Sequence, residues 1–206
     1  MSSKFIAVEG LDLAGKTSVI LPYLQKILNP NETLFLADMK TGNISKGIRN
    51  IFMDPESVTK KTDWVTIAML ASAARSDMVY QDIIPAIENN KNVICDRFVD
   101  TSFVYNKESH DPIVKNILDS STHGMWPDVI IFAYCSYEEM IRRKCLRDDN
   151  DQWDLNGKEE YDLKLQRYKD RLYRNGLHKV YEIDSSSGFD YVYQRLDEIV
   201  KELNLQ

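Results

Sequence analysis

Cysteine is scarce, positive charge is not in excess, and no apolar run is long enough to cross a bilayer; each shortage removes a class of function. Cys95, Cys135 and Cys145 are the three cysteines in 206 residues, and they show neither paired nor metal-ligand spacing. Buried, reduced thiols are therefore expected rather than a disulfide scaffold or a cysteine-bound metal. The formal net charge of −6 argues against binding of nucleic-acid polymers, which relies on a basic surface. The longest apolar stretch, residues 64–74, contains Thr66 and Ser72 and falls far short of the roughly 20 residues of a spanning helix. The N-terminal MSSKFIAVEG has no secretory h-region, so a cytoplasmic protein without membrane contact is expected. With no Ser/Gly-rich tract, repeat or low-complexity segment to mark a linker, one domain over 1–206 is expected.

What is present has the balance of a globular protein, with 43% hydrophobic and 28% charged residues. Apolar runs bounded by turn residues predict strands at 5–8, 33–37, 92–95, 129–134 and 179–183. Between them, helical periodicity covers 16–28, 43–52, 64–89 with a bend near Pro85, 137–147, 159–173 and 189–203. The residues after Cys95, up to Tyr105, read as a polar-aromatic stretch and 148–156 as an acidic, irregular one. The runs FIAV, VIC and VIIFAY are apolar on both alternations, as strands covered on two faces must be. An α/β fold with a parallel sheet and helices on both faces follows.

Gly10-Leu11-Asp12-Leu13-Ala14-Gly15-Lys16-Thr17 satisfies G-x-x-x-x-G-K-[ST] between a predicted strand and a predicted helix. Glycines let the backbone wrap phosphate oxygens, and amides at the helix start face the negative charge. Lys16 then bridges β- and γ-phosphates and the Thr17 hydroxyl ligates Mg²⁺, so ATP with magnesium is expected at Gly10 to Ser18. At the end of the 92–95 strand stand Asp96 and Arg97, where open α/β sheets place ligands. There an arginine can grip a phosphate through two parallel bonds, although a structural ion pair at a strand end is the plainer alternative. Arg142-Arg143-Lys144-Cys145-Leu146-Arg147 runs into an acidic segment. This suits a small lid at about 143–157 whose cations cover transferring phosphates. A solvated helix with Glu138–Arg142 and Glu139–Arg143 pairs is the alternative.

Taken together, these motifs resemble the thymidylate kinases, P-loop nucleoside monophosphate kinases, over essentially the whole chain. FIAVEGLDLAGKTS resembles that family's first strand and phosphate loop, and Ala73-Ala74-Arg75 its base-reading helix. Asp96-Arg97-Phe98-Val99-Asp100-Thr101-Ser102 with Tyr105 resembles its acceptor-phosphate segment, and Asp184-Ser185-Ser186 its loop near the donor adenine. The resemblance implies a five-stranded P-loop NTPase fold with a lid, a homodimer, and transfer of the ATP γ-phosphate to a deoxynucleoside monophosphate, dTMP first. It assigns Lys16, Asp96, Arg97 and Arg147 to catalysis, and Arg143 and Ser185 with the loop to ATP. Asp12, Arg75, Arg97, Ser102, Tyr105 and Tyr161 fall to the acceptor.

The chain also departs from the family. It has Ala37-Asp38-Met39-Lys40 where an Arg-Glu-Pro-Gly segment is usual, Ala71 where a ring stacks on the base, Asp151-Gln152 for the lid's Asp-Arg, and Leu13 where some members carry arginine. The donor half is thus expected intact and the acceptor half modified, with Lys40 and Phe103 as candidate replacements. A deoxynucleoside kinase using Glu9 or Asp38 as base, and a non-catalytic nucleotide-binding protein, are the competing functions.

Overall fold

The computed structural model describes residues 3–54, 56–58, 61–146, 157–173 and 178–205. Strand β1 (Phe5–Gly10) leads through the phosphate loop into a helical turn, Lys16–Ile20, continuous with α1 (Leu21–Ile27). Next come β2 (Thr33–Ala37), α2 (Asn43–Met53), α3 (Trp64–Met78), a wide turn Val79–Ile83, and α4 (Ile84–Glu88). Then β3 (Asn92–Asp96), α5 (Val99–Val104), α6 (Asp111–Ser121) and β4 (Val129–Tyr134) follow. The chain ends with α7 (Tyr137–Lys144), α8 (Lys158–Tyr173), β5 (Lys179–Asp184) and α9 (Phe189–Leu203).

The strands form one parallel sheet in the order β2-β3-β1-β4-β5. Since β1 lies between β3 and β4, the chain leaves it to opposite sides, and the carboxyl ends of these strands border a crevice. Every residue of β1 is buried, and its alternation divides the core. Phe5 and Ala7 join Val79, Val99, Phe132 and Tyr168 on one face. On the other face Ile6 and Val8 meet Leu24 of α1 and Leu196 and Ile199 of α9. Apolar side chains at 192, 196, 199 and 200 give α9 the single stripe that such a docked helix needs.

Caps set the helices that carry function. Asp63 accepts from the amides of Val65 and Thr66 at the start of α3. Ser136 accepts from the Glu139 amide at 3.1 Å, and Arg142, Arg143 and Lys144 close α7 where its dipole favours cations. Near Pro85, where a bend was expected, a wide turn Val79–Ile83 separates α3 from α4, the place where a proline crowds the preceding turn.

Two elements differ from the sequence expectation. Helix α5 occupies the polar-aromatic stretch, and α6 adds a helix where none was expected. The latter buries Val114, Leu118 and Ser121, and its apolar residues Ile113, Val114, Ile117 and Leu118 cover only about two turns. Helix α7 ends at Lys144, before the expected 147. Cys95 and Cys135 are buried, but Cys145 is exposed, which corrects the expectation for that thiol. Most of the expected lid, including Arg147 and residues 148–156, lies outside the described residues. Among the described residues no helix is long and apolar enough to cross a membrane.

Candidate active site

The phosphate loop is shaped by two glycines. Gly10 has φ 141°, and a Cβ there would meet the Ala133 carbonyl oxygen at 1.9 Å, so no side chain fits beside β4. Gly15 has φ 79° and turns the chain into the helical segment that Lys16 opens. Lys16 is 5% exposed, and its ammonium donates to the carbonyls of Gly10, at 3.0 Å, and Leu11. Burial first, then Arg97, lowers its pKa to about 7 against the opposing pull of Asp12, Asp96 and Glu9. Phosphate oxygens would replace those carbonyls and restore the charge.

Next to it, the Thr17 hydroxyl donates to Asp96 Oδ2 at 2.9 Å. The other oxygen, Asp96 Oδ1, is buried with no partner among the described residues. The Lys40 ammonium stands 3.9 Å from Asp96 Oδ2. A cavity of about 250 Å³ opens here, lined by Thr17, Pro22, Phe35, Lys40, Thr41 and Asp96 among others.

Arg97 follows β3 in the left-handed region, with φ 64°, a conformation that costs a non-glycine residue about 1–3 kcal/mol and clusters at functional sites. Its amide donates to the Val8 carbonyl at 3.0 Å, and its guanidinium folds back across the end of β1. Nη1 donates to Gly10 O at 3.0 Å and to the hydroxyls of Thr101 and Tyr168 at 3.2 Å. Nη2 pairs with Asp12, which also accepts from the Tyr105 hydroxyl. Burial opposes ionisation of Asp12, but Arg97, then Lys16 and Tyr105, outweigh it and hold the carboxyl below its usual value.

Behind this pair sits Glu9, fully buried. Its carboxylate accepts from the Phe98 amide at 2.8 Å, the Thr101 hydroxyl at 2.7 Å and the Tyr168 hydroxyl at 3.1 Å. Burial, and next Asp100, push its pKa up. Sequence reasoning missed Tyr168. It lies on α8, far along the chain from Arg97, and an aromatic in an amphipathic helix reads as core.

On the other side of the loop, Arg143 of α7 donates to Leu13 O at 2.8 Å, and to Ser185 Oγ at 2.9 Å and its carbonyl at 2.8 Å. It thereby ties together the phosphate loop, the end of α7 and the β5–α9 loop that the sequence assigned to the donor nucleotide. Both Arg142 and Arg143 pair with Glu139, so the expected Glu138–Arg142 pairing is replaced by a shared carboxylate.

The remaining expected residues divide. Tyr105 stands against Arg97, with the guanidinium carbon 5.5 Å from its ring centre. Ser102 is half-buried on α5 beside Thr101, and Ser18 is exposed on the first helical turn. Arg75 is 1% exposed, pairs with Asp38 and lies over Phe98, its guanidinium carbon 5.5 Å from the ring centre. No ring stands at Ala71. Phe103, the expected replacement, instead packs beneath Arg171 at 3.6 Å, so Phe98 is the ring beside Arg75. Tyr161 is not brought to this group: its buried hydroxyl donates to the Cys135 carbonyl and its ring meets Tyr137 edge-on at 5.6 Å.

A family model described as thymidylate kinase matches residues 8–196. The chain is 28% identical over 205 residues to a thymidylate kinase of Finegoldia magna, covering 98% of this chain and 99% of that one. It is 32% identical over 167 residues to one of Thermoanaerobacter sp., covering 77% and 80%. In three dimensions it is similar to the thymidylate kinase of Ehrlichia chaffeensis, with TM-score 0.73 at 21% identity over 98% of this chain and all (100%) of that one. The Candida albicans enzyme gives TM-score 0.75 at 20% identity over 98% and 93%.

Proposed function

The chain belongs to the thymidylate kinase family, and from that premise we propose how its own residues carry the γ-phosphate of ATP to dTMP. The reaction is ATP-dependent phosphorylation of dTMP to dTDP, that of a nucleoside monophosphate kinase. The observation that carries the residue-level reading is the meeting of Arg97 with Asp12, directly beside Lys16. A cation built for a second phosphate thus stands at the mouth of the loop that holds the first.

Phosphoryl transfer needs little covalent help, so alignment and charge neutralisation make up most of the catalysis. Lys16 leaves the Gly10 and Leu11 carbonyls for the β- and γ-phosphates. Arg97 exchanges Asp12 for the acceptor phosphate, while Tyr168 and Thr101 keep its other nitrogen in place. Tyr105 and Asp12 wall the acceptor side, and Arg143 with Ser185 borders the donor nucleotide; Arg147, outside the described residues, is given to the transferring phosphate by the family resemblance. The Thr17 hydroxyl and the unpartnered Asp96 oxygen form the hard-oxygen set that suits Mg²⁺. When bound, Mg²⁺ neutralises phosphate charge and orients the donor. Half-exposed Ile44 and Ile51 on α2 and Met69 on α3 supply an apolar face for a homodimer, acting in the cytoplasm.

Transfer to a sugar hydroxyl would need a carboxylate base open to that hydroxyl. Glu9 is buried and holds four donors, and Asp38 is paired with Arg75, so the monophosphate reading is favoured. A coupled ADP-release assay with dTMP and thymidine side by side tests it. The expected outcome is kcat/KM for dTMP at least on the order of 100-fold higher, as loss of a charge-paired phosphate implies. Preference for thymidine would overturn it.

A further inference from the structure

Asp12 loses its partners in the exchange that brings Arg97 to the acceptor phosphate. Its side chain is mostly buried, 24% exposed. Burial opposes its charge; Arg97, Lys16, the Tyr105 hydroxyl and Lys164, in that order, sustain it. When Arg97 turns to the acceptor and Lys16 to the donor, the two strongest supports are withdrawn together. A carboxylate stripped of its partners away from water opposes the step that strips it. The phosphates arriving beside it carry the same sign of charge and sharpen that opposition.

Lys164 stands where a replacement is needed. It lies on α8, one turn before Tyr168, and its ammonium is 4.1 Å from the centre of the Tyr105 ring. The hydroxyl of that same ring donates to Asp12. The Lys164 side chain is only 12% exposed, whereas Lys158 on the same helix is 60% exposed. Its ion pair with Glu160, at 2.8 Å, is an i,i+4 contact along the helix, a kind that contributes little. Such a pair does not hold a flexible lysine stem away from a stronger partner.

We propose that Lys164 is a positioning residue for the transfer, taking over from Arg97 as the counter-charge of Asp12 when the acceptor monophosphate binds. This rests on the reading that Arg97 leaves Asp12 for that phosphate. The ammonium moves along the Tyr105 ring toward its hydroxyl, exchanging Glu160 for Asp12, while the Tyr105 hydrogen bond keeps the carboxylate in place. Helix α8 then serves the acceptor end twice, through Tyr168 on Arg97 and through Lys164 on Asp12.

The plainer account is that Lys164 only packs on Tyr105 and pairs with Glu160. A double-mutant cycle on dTMP affinity separates the two. Calorimetry on wild type, Lys164→Met, Asp12→Asn and the double variant reads it without relying on turnover. Lys164→Met keeps a stem over the ring and removes the charge; Lys164→Gln serves if circular dichroism shows the methionine variant unfolded. With Asp12 present, loss of the charge should weaken dTMP binding about tenfold. With Asp12→Asn there is no charge to neutralise, and the same substitution should cost about twofold or less. Lys164→Arg should restore affinity to within about threefold of wild type, since a guanidinium also stacks on an aromatic face. Equal losses on both backgrounds, or no rescue by arginine, would overturn the role of Lys164 and leave the kinase reading intact. Unaltered dTMP affinity in Arg97→Ala would overturn the Arg97 exchange, and this proposal with it.

Discussion

The Tyr168 hydroxyl lies 3.2 Å from Nη1 of Arg97, at the end of a side chain with no solvent exposure. It also touches Thr101 Oγ1 at 3.0 Å and Glu9 Oε2 at 3.1 Å, so helix α8 reaches the acceptor arginine through one oxygen. Tyr168→Phe keeps the ring in the core and removes that oxygen. We expect KM for dTMP to rise about 3- to 10-fold with KM for ATP unchanged, and stability to fall by about 1–2 kcal/mol. Steady-state kinetics and a urea melt check both; equal changes in the two KM values would count against a link to Arg97.

Lys16, with its pKa near 7, gives a pH dependence of defined sign. In the free protein above that pH the amine is increasingly neutral, whereas bound phosphates favour the ammonium. ATP binding should therefore take up a proton at pH 8 and little through this group at pH 6. Affinity should weaken as pH rises above 7. Calorimetry in two buffers of different ionisation enthalpy reads the uptake directly. Lys16→Met should abolish it, together with turnover.

Asp96 and Thr17 share a hydrogen bond at 2.9 Å on the side of the loop proposed for Mg²⁺. Asp96→Asn keeps the shape but removes the charge that would attract the cation. The apparent Mg²⁺ requirement in the kinase assay should shift upward about tenfold or more, with ATP-independent stability little changed. An unaltered magnesium titration would remove Asp96 from the metal's surroundings.

Two glycines should respond to alanine with opposite signs. At Gly10 the added Cβ meets backbone at 1.9 Å with φ 141°, and a loss of about 3 kcal/mol or more is expected. At Gly47, inside α2, nothing lies within 4 Å. There alanine should add about 0.5–1 kcal/mol through helix propensity and a less flexible unfolded chain. Urea denaturation of the two variants measures both.

Three strands, β1, β3 and β4, were legible because their runs are apolar on both faces, as doubly covered parallel strands must be, and β2 and β5 because they are short apolar-rich runs bounded by turn residues. The phosphate loop was legible because its chemistry is local: Gly10, Gly15, Lys16 and Thr17 act through one short stretch of backbone. Helix α6 was not read, although Ile113, Val114, Ile117 and Leu118 stand at helical spacing, because that stripe is confined to about two turns between Pro112 and a Ser/Thr run. Nor were the partners of Arg97 and Arg75. Tyr168 is 71 residues from Arg97 and Asp38 is 37 residues from Arg75, and no local spacing announces a contact made by the sheet. Tyr161, given to the acceptor by the resemblance, donates its hydroxyl to the Cys135 carbonyl, again a contact that no local spacing announces.

The most direct test of the account is the kinetics of Arg97→Ala, with dTMP and ATP varied separately on protein shown to be folded. If Arg97 exchanges Asp12 for the acceptor phosphate, kcat/KM for dTMP should fall by about 100-fold or more, as the loss of a paired charge-assisted contact implies, while KM for ATP stays within about threefold. A variant that loses ATP binding and retains its affinity for dTMP would place Arg97 on the donor and contradict the account.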